Sequence, residues 1–578
     1  MRSLEGEWLG AELVGDEVVF RYAMSGKDGR VEISERISIN QQRVVLSFSL
    51  VHPKQAFNMN YRMRQSSYRL VETSGQKRGR GHVQYIHLGQ TDYQITMYFQ
   101  EGGDHFPAGY TLEPITLPKL PKGYLFEPAG LDFDADGTLY VSTRTAGVWT
   151  YKKGVWKQFA DGLYDALGLR VRKDGIYVMQ KPELTRLVDE DGDGVAERYE
   201  TVSSNFRFAG SYHEFAYGPR FDSQGNAYFS LNLSAGVGHK ISKSEGIQML
   251  TPLGFRGFVM KRSANGKLSP YAPGFRSPVG IGINKKDELF ITDNQGDWVP
   301  SSYLIHVRPG GFHGHPASLL DTPKYGGGET LNSKAVYDIP KKVPEIKESD
   351  FRPLRLPPTV WLPHEEYSNS PGNPEFCETS KFGPFEGQIF IAELTKQSIL
   401  RVQLQRVEGA YQGTVFPFLR PLPSGGFRLR FSPDGELYVG QLSRGWGNGK
   451  TGLHKLSWDG KTMPFEMKSV TLITKGFDIR MTLPLAPGAK LKPSQVLMSS
   501  FRYNYWKLYG SERIDKTIIE PDSIRLSEDR QTIHLSLPLR AGFLYAIELV
   551  DVVAEDGKKL VNRTCCYTLN QLVKEENK

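Results

Sequence analysis

The sequence predicts an all-β protein, a six-bladed β-propeller flanked by N-terminal and C-terminal β-sandwich domains. Three observations lead there. A hairpin pattern recurs six times between residues 130 and 439, alternating strands lie on both sides of that region, and glycine, proline and aromatic residues are plentiful. The 60 glycines, 35 prolines and 12% aromatics suit many short strands joined by tight turns, because glycine supplies positive φ and aromatic rings pack on pleated faces.

Each repeat has an apolar lead-in, a polar turn, then a branched or aromatic triplet. The copies are GLDFDADGTLYV (130–141), GLRVRKDGIYV (168–178), YGPRFDSQGNAYF (217–229), VGIGINKKDELFI (279–291), GPFEGQIFI (383–391) and LRFSPDGELYV (429–439). Period-two alternation around a polar turn marks a β-hairpin. Copies this widely spaced do not stack as a solenoid, whereas one hairpin per four-stranded blade fits, and closing the blades around an axis removes exposed strand edges. The widest gap, between Ile291 and Ile389, holds a Pro- and Lys-rich stretch at 337–363. It reads as a loop over one face or a degenerate seventh blade, and six blades is the preferred count.

The segments ITLPKLPKG (115–123) and SWDGKTMPFE (457–466) read as boundaries, giving domains at 1–112, 113–465 and 466–578. Three units suit a chain of 578 residues, which is too long for one core. Residues 1–112 alternate through EVVFRYAM, RVVLSFSL, YRLVET and YQITMYF, as a sandwich or curved sheet does. SVTLITK, DIRMTLPL, SIRLS, TIHLSLPL and YAIELVDVV repeat the theme after Met467, and an immunoglobulin-like sandwich is expected there.

Composition excludes several functions. Cys377, Cys565 and Cys566 are too few for a disulfide framework, and none sits in a Cys-x-x-Cys-His motif, so no haem is covalently attached to this chain. The pair Cys565-Cys566 reads as two small strand residues facing opposite sides. The net charge of +8 suits an acidic partner or substrate, but Lys77-Arg78-Gly79-Arg80 is the only basic run, which argues against nucleic acid. There is no apolar run long enough for a transmembrane segment. The opening MRSLEGEWLG lacks an apolar stretch of signal-peptide length, so either the protein is cytosolic or its leader lies outside this sequence; a periplasmic or secreted location is the expectation.

The sharpest local motif is DEDGDGVAERYE, 189–200. Asp189, Asp191, Asp193 and Glu200 fall at positions 1, 3, 5 and 12 of a calcium loop, and Val195 supplies the backbone carbonyl of position 7. Calcium is expected here, stabilising a blade. Asp132, Asp134 and Asp136 repeat the spacing without a twelfth-place acid, as a plain turn does. Histidines 213, 306, 313, 315 and 364 lie where repeats begin or end, and an imidazole near a propeller axis can take a proton from a substrate hydroxyl. His313-x-His315 could be a metal pair, although no third ligand follows from spacing. Asp293, Asn294 and Asp297 in TDNQGDW could ligate a cation or hold sugar hydroxyls, and Arg144, Arg276 and Arg428 sit at blade edges, where a guanidinium can clamp a carboxylate.

The order SYHEFAYGPRFDSQGNAYF, GFRSPVGIGI, LFITDNQGDW and GGFHGHP resembles the glucose/sorbosone dehydrogenase family of quinoproteins, six-bladed propellers that hold pyrroloquinoline quinone and calcium. A bacterial branch described as membrane-bound dehydrogenases is similar in the DEDGDGVAE loop and in a terminal sandwich ending near YTLN. The likeness spans about Ile115–Trp458 and extends more weakly beyond it. It implies His213 as the base, Arg276 beside the quinone, and Gly296 and Asp297 as calcium-binding carbonyls. It also departs from the family: Ser277 replaces an asparagine, Asp297 a proline and Thr395 a lysine, while Arg428 and Arg430 are shifted from the expected Arg-x-Arg pair.

Together these imply a sugar or polyol dehydrogenase with a carbohydrate substrate and a separate electron acceptor. Its expected site is His213, Arg276 and His364 for catalysis, with Arg276, Gly296, Asp297 and Arg428 around a quinone. A lyase or hydrolase acting on acidic polysaccharide, or a glycan-binding scaffold, is the alternative.

Overall fold

A computed structural model describes residues 106–206, 210–235, 249–250, 255–321, 348–442 and 451–574, together with the strand backbones between residues 5 and 99. The chain divides into two compact units, Met1–Asp104 and His105–Lys578. In the first, Glu5–Val14, Glu17–Gly26, Gly29–Asn40, Arg43–Val51, Asp92–Phe99 and Tyr68–Thr73 form one antiparallel sheet in that order. Phe57–Asn60, Val83–Ile86 and Gln76–Lys77 form a second.

The second unit is built on four-stranded antiparallel sheets. Their first strands are Pro128–Phe133, Leu169–Arg172, Ala216–Phe221, Gly280–Ile283, Pro371–Phe376 and Gly426–Phe431, and each touches the next until the last meets the first, closing a ring. Glycine allows that approach. A Cβ on Gly168 would lie 2.1 Å from the Gly218 carbonyl oxygen, and one on Gly280 would lie 2.2 Å from that of Gly372. Gly168 and Gly280 therefore mark where neighbouring first strands meet backbone to backbone.

Closure is nonlocal. The sheet that begins with Gly426–Phe431 takes its outermost strand from Tyr110–Pro114, paired with Gly452–Trp458 from Tyr110 opposite Trp458 to Pro114 opposite His454. The expected boundary after residue 112 falls inside this strand. In the fifth sheet, Pro371–Phe376 pairs with Ile389–Glu393. The lead-in GPF of GPFEGQIFI is thus no strand: Phe382 and Phe385 leave the ladder to fill a core with Phe390 and Phe418. The wide gap after Ile291 contains the strands Ser302–His306 and Val360–Leu362 of the fourth sheet; residues 337–347 of the Pro- and Lys-rich stretch lie outside the described residues.

The fifth sheet continues beyond Ala410–Leu419 into Thr564–Leu569, Phe543–Leu549, Val496–Tyr503 and Arg513–Ile519, so eight strands run as one sheet from the ring into the C-terminal region. Met467–Ile473, Gly476–Met481, Thr532–Ser536 and Ser523–Leu526 form the opposing sheet. Val470, Phe477 and Ile533 of one share a core with Met498, Ile547 and Tyr567 of the other. Cys565 faces this core and Cys566 the one beneath the ring, both as free thiols on opposite faces of their strand. Among the described residues, no helix is long and apolar enough to cross a membrane.

Candidate active site

His213 precedes the strand Ala216–Phe221, and its Nδ1 lies 3.1 Å from the Leu233 carbonyl oxygen. A carbonyl only accepts, so Nδ1 carries the proton and Nε2 keeps its lone pair. Leu233 in turn donates its N–H to the carbonyl of Arg276 at 3.0 Å, tying the histidine to the arginine. Burial and the Arg276 guanidinium push the His213 imidazole down to about 4, against the opposing pull of the Leu233 carbonyl and Asp297. The ring is therefore neutral at ordinary pH.

Arg276 is anchored twice. Its backbone N–H donates to Asp293 at 2.8 Å, and its Nε to Asp297 Oδ1 at 2.8 Å. The other Asp297 oxygen lies 3.2 Å from His315 Nε2 and accepts from the Met249 N–H at 3.1 Å. The Ala317 N–H points at His315 Nδ1, which leaves the proton on Nε2 to be donated to Asp297. Burial pushes the Asp297 carboxyl up, but the His315 hydrogen bond and the Arg276 guanidinium outweigh it and hold it well below the usual carboxylate range. A Cβ on Gly296 would lie 1.8 Å from Arg276 Nε, so this position accepts only glycine.

A second charged group stands beside His213. Asp165 joins Arg144, at 2.6 Å, to Lys181, at 3.4 Å, and both cations lie over the Phe215 ring, 4.9 and 5.0 Å from its centroid. Lys181 Nζ also donates to the Tyr212 carbonyl at 3.2 Å. Burial lowers the lysine's pKa, and Asp165 offsets part of that fall. Sequence reasoning missed Lys181, although a signal existed. LYVSTR ends at Arg144, IYVMQK at Lys181, AYFSLN at Asn232, LFITDN at Asn294, IFIAEL at Leu394 and LYVGQL at Leu442, so one repeat position runs from cationic to amide to apolar around the ring.

The other expected residues are held by the following partners. Arg428 donates to the carbonyls of Ala129, Phe427 and Leu167 at 2.8, 3.1 and 3.2 Å and stacks on Phe427, fastening first strands together. His364 contacts Glu365 at 3.4 Å, and its N–H donates to Ser301 at 3.0 Å. Asp293 accepts the backbone N–H groups of Arg276, Ser277 and Asn294, as a loop-fixing carboxylate does. His313 packs on Phe275 with ring centroids 4.7 Å apart, while His315 engages Asp297, so the His-x-His pair does not converge on one point.

In the acidic turn, one ligand atom each from Asp189, Asp191, Asp193 and Glu197 lies within 4.8 Å of the others. Gly192 and Gly194 take φ of 76° and 86° and donate their N–H groups to Asp189, both at 2.8 Å. Glu200 stands apart, paired with Arg186 and Arg198. Its strand, Arg198–Ser203, begins before the twelfth place is reached, and this brings Glu197 to the cluster instead.

The described residues do not fit pyrroloquinoline quinone with its calcium. Its carboxylates need available cations, yet Arg276 is committed to Asp297, Arg428 to three carbonyls, and Lys396 to Glu365 at 2.6 Å, with Thr395 in the lysine's place. The Gly296 carbonyl, expected on calcium, accepts from Gly510 at 2.9 Å and Val299 at 3.2 Å.

A profile described as a domain of unknown function (DUF7133) matches residues 150–415, just under half of the chain. No curated protein matches significantly. Solved structures similar to this chain include the PQQ-bound aldose sugar dehydrogenase from Streptomyces coelicolor, at 16% identity over 61% of this chain and 99% of that one, TM-score 0.42. The holo pyranose dehydrogenase PQQ domain from Coprinopsis cinerea is 14% identical over 61% and 97%, TM-score 0.42. A calcium structure of the Trichoderma reesei carbohydrate-active enzyme family AA12 gives the same four values.

Proposed function

We propose that this chain is a carbohydrate-oxidising enzyme of the sugar or polyol dehydrogenase type, acting at the centre of one face of a six-bladed β-propeller with flanking β-sandwiches. One observation carries the reading: His213 is neutral, its Nδ1 proton is fixed on a carbonyl, which leaves Nε2 unprotonated, and the charges of Arg276 and Lys181 help to keep it so. That is the state a general base needs to take a hydroxyl proton. Arg276, locked by Asp297, orients the base and favours an oxyanion as the proton leaves. Oxidation also needs a two-electron acceptor for the hydride, and with no haem motif in the sequence that acceptor is a separate partner. The sequence resemblance to glucose/sorbosone dehydrogenases, their membrane-bound relatives included, supports an oxidoreductase working in the periplasm or outside the cell.

A second reading has its own support. Arg144 and Lys181 share the single carboxylate of Asp165 over the Phe215 ring, two cations to one acid, and the Lys181 charge is felt at His213. The same base could take a carbon-bound proton from a uronate whose carboxylate these cations neutralise, as in a lyase on acidic polysaccharide. Incubation of the full chain with a sugar panel and an electron-accepting dye, without added quinone, tests the first reading. Uronate polymers, read by absorbance of the unsaturated product, test the second. Dye reduction is expected. Product absorbance without dye reduction would transfer the same base to the second reading.

Calcium at the 189–197 turn is proposed as a stabilising ion, because clustered carboxylates repel one another until a cation bridges them. Chelation should lower the melting temperature of the full chain. Glu197→Gln should remove most of calcium's effect and Glu200→Gln little of it; the reverse order would restore the twelve-residue pattern.

A further inference from the structure

We infer that the C-terminal region supplies part of the substrate site, with Tyr509 as a stacking platform for a sugar ring next to His213. This rests on the carbohydrate reading above and adds a subsite to it. The loop that carries Tyr509 joins Val496–Tyr503 to Arg513–Ile519, strands of the eight-stranded sheet, yet it is fastened to the ring. The Gly510 N–H donates to the Gly296 carbonyl at 2.9 Å, the Ser511 N–H to the Pro300 carbonyl at 2.9 Å, and the Tyr505 hydroxyl to the Gly314 carbonyl at 2.6 Å. Trp506 Nε1 closes the loop on itself by donating to the Gly510 carbonyl at 2.6 Å. Tyr509 itself bridges to Asp297 through its backbone.

This loop has no folding reason to hold a large aromatic ring in water. Tyr505 is buried, as a packing residue should be, whereas Tyr509 is 47% exposed with Arg276 5.3 Å from its ring centroid. The guanidinium thus backs a ring that remains open to solvent, beside the arginine that lowers the His213 pKa. Two more exposed tyrosines continue the row. Tyr212, 66% exposed, meets the His213 ring at 5.7 Å, and Tyr164, 52% exposed, lies 5.6 Å from Lys181 Nζ. The links therefore run from Tyr164 to Lys181, from Lys181 to the Tyr212 carbonyl, from the Tyr212 ring to His213, from His213 through Leu233 to Arg276, and from Arg276 to Tyr509, with aromatic residues at both ends and in the middle. Aromatic faces spaced along a row, with cations and a base between them, match a chain of pyranose rings: the C–H faces lie on the aromatics and the hydroxyls reach the polar groups. A single small sugar would use only one of the three.

The test is affinity electrophoresis of the full chain in gels containing hydroxyethyl cellulose, xyloglucan, alginate or polygalacturonate. At least one polymer should retard the wild type. Tyr509→Ala should weaken that binding about tenfold, and Tyr509→Phe should preserve it because the ring face remains. Tyr212→Ala should weaken binding to the same polymer, which keeps the test alive if Tyr509→Ala fails to fold. Equal retardation of the wild type and folded Tyr509→Ala, or retardation by none of the four polymers, would overturn the inference. His213→Ala separates the two claims. Binding retained with turnover lost supports both, and turnover retained in His213→Ala while Tyr509→Ala loses binding would remove the base and leave the platform.

Discussion

His213→Ala is expected to lower turnover by about 10²–10⁴-fold, the usual contribution of a positioned general base, with the melting temperature of the full chain almost unchanged. The imidazole is only partly buried and bonds to a loop carbonyl, so little of the core depends on it. The pH dependence is specific. A base whose pKa is pushed down to about 4 stays unprotonated through the whole neutral range, so the rate should be flat from pH 8 to about 5 and fall as pH drops through about 4. A histidine with an ordinary pKa would lose its rate near 6.5 instead. Full activity in folded His213→Ala would remove the catalytic assignment.

Asp297→Ala should be the most destabilising single change at the site, by about 3–5 kcal/mol, because it leaves the buried Arg276 guanidinium without its counter-charge. His315 and Met249 lose their acceptor in the same step. The double variant Arg276→Met/Asp297→Leu removes both charges and should recover most of that loss while still abolishing activity. Urea unfolding of the full chain checks both; a loss below about 1 kcal/mol for Asp297→Ala would mean that Arg276 finds another partner or water. The sign with pH follows from the depressed Asp297 pKa. Its contribution is complete above the unfolded carboxylate pKa of about 4 and is lost as pH falls through the lower folded value.

The ring was legible in the sequence because its strands alternate locally and three of the repeats carry a glycine, Gly130, Gly168 or Gly280, that lets first strands meet. The strand Tyr110–Pro114 was not, since its partner Gly452–Trp458 is far away in sequence and YTLEP contains no repeat signal. GPFEGQIFI misled for a different reason: its apolar lead-in matches a strand pattern, but the phenylalanines around it are used for packing beneath the sheet. In the acidic turn, spacing borrowed from a helix-flanked loop pointed to Glu200. A flanking strand carries that residue to Arg186 and leaves Glu197 at the cluster.

His213 was expected where a repeat begins and Arg276 at a blade edge, and the structure links them through Leu233. Lys181 was hidden because it stands alone in sequence and gains meaning only when the repeats are aligned on Arg144. Tyr509 could not be read at all. It reaches the site from a loop of the C-terminal sheet, and nothing in YWKLYGSER separates a solvent-facing tyrosine from the packing ones beside it.

The most direct measurement is the ¹⁵N titration of the His213 imidazole in the full chain labelled at histidine, with the resonance assigned by its loss in His213→Gln. The proton should sit on Nδ1, Nε2 should have the shift of an unprotonated nitrogen, and the midpoint should lie near 4. A proton on Nε2, or a midpoint near 6.5, would contradict the assignment of His213 as the base.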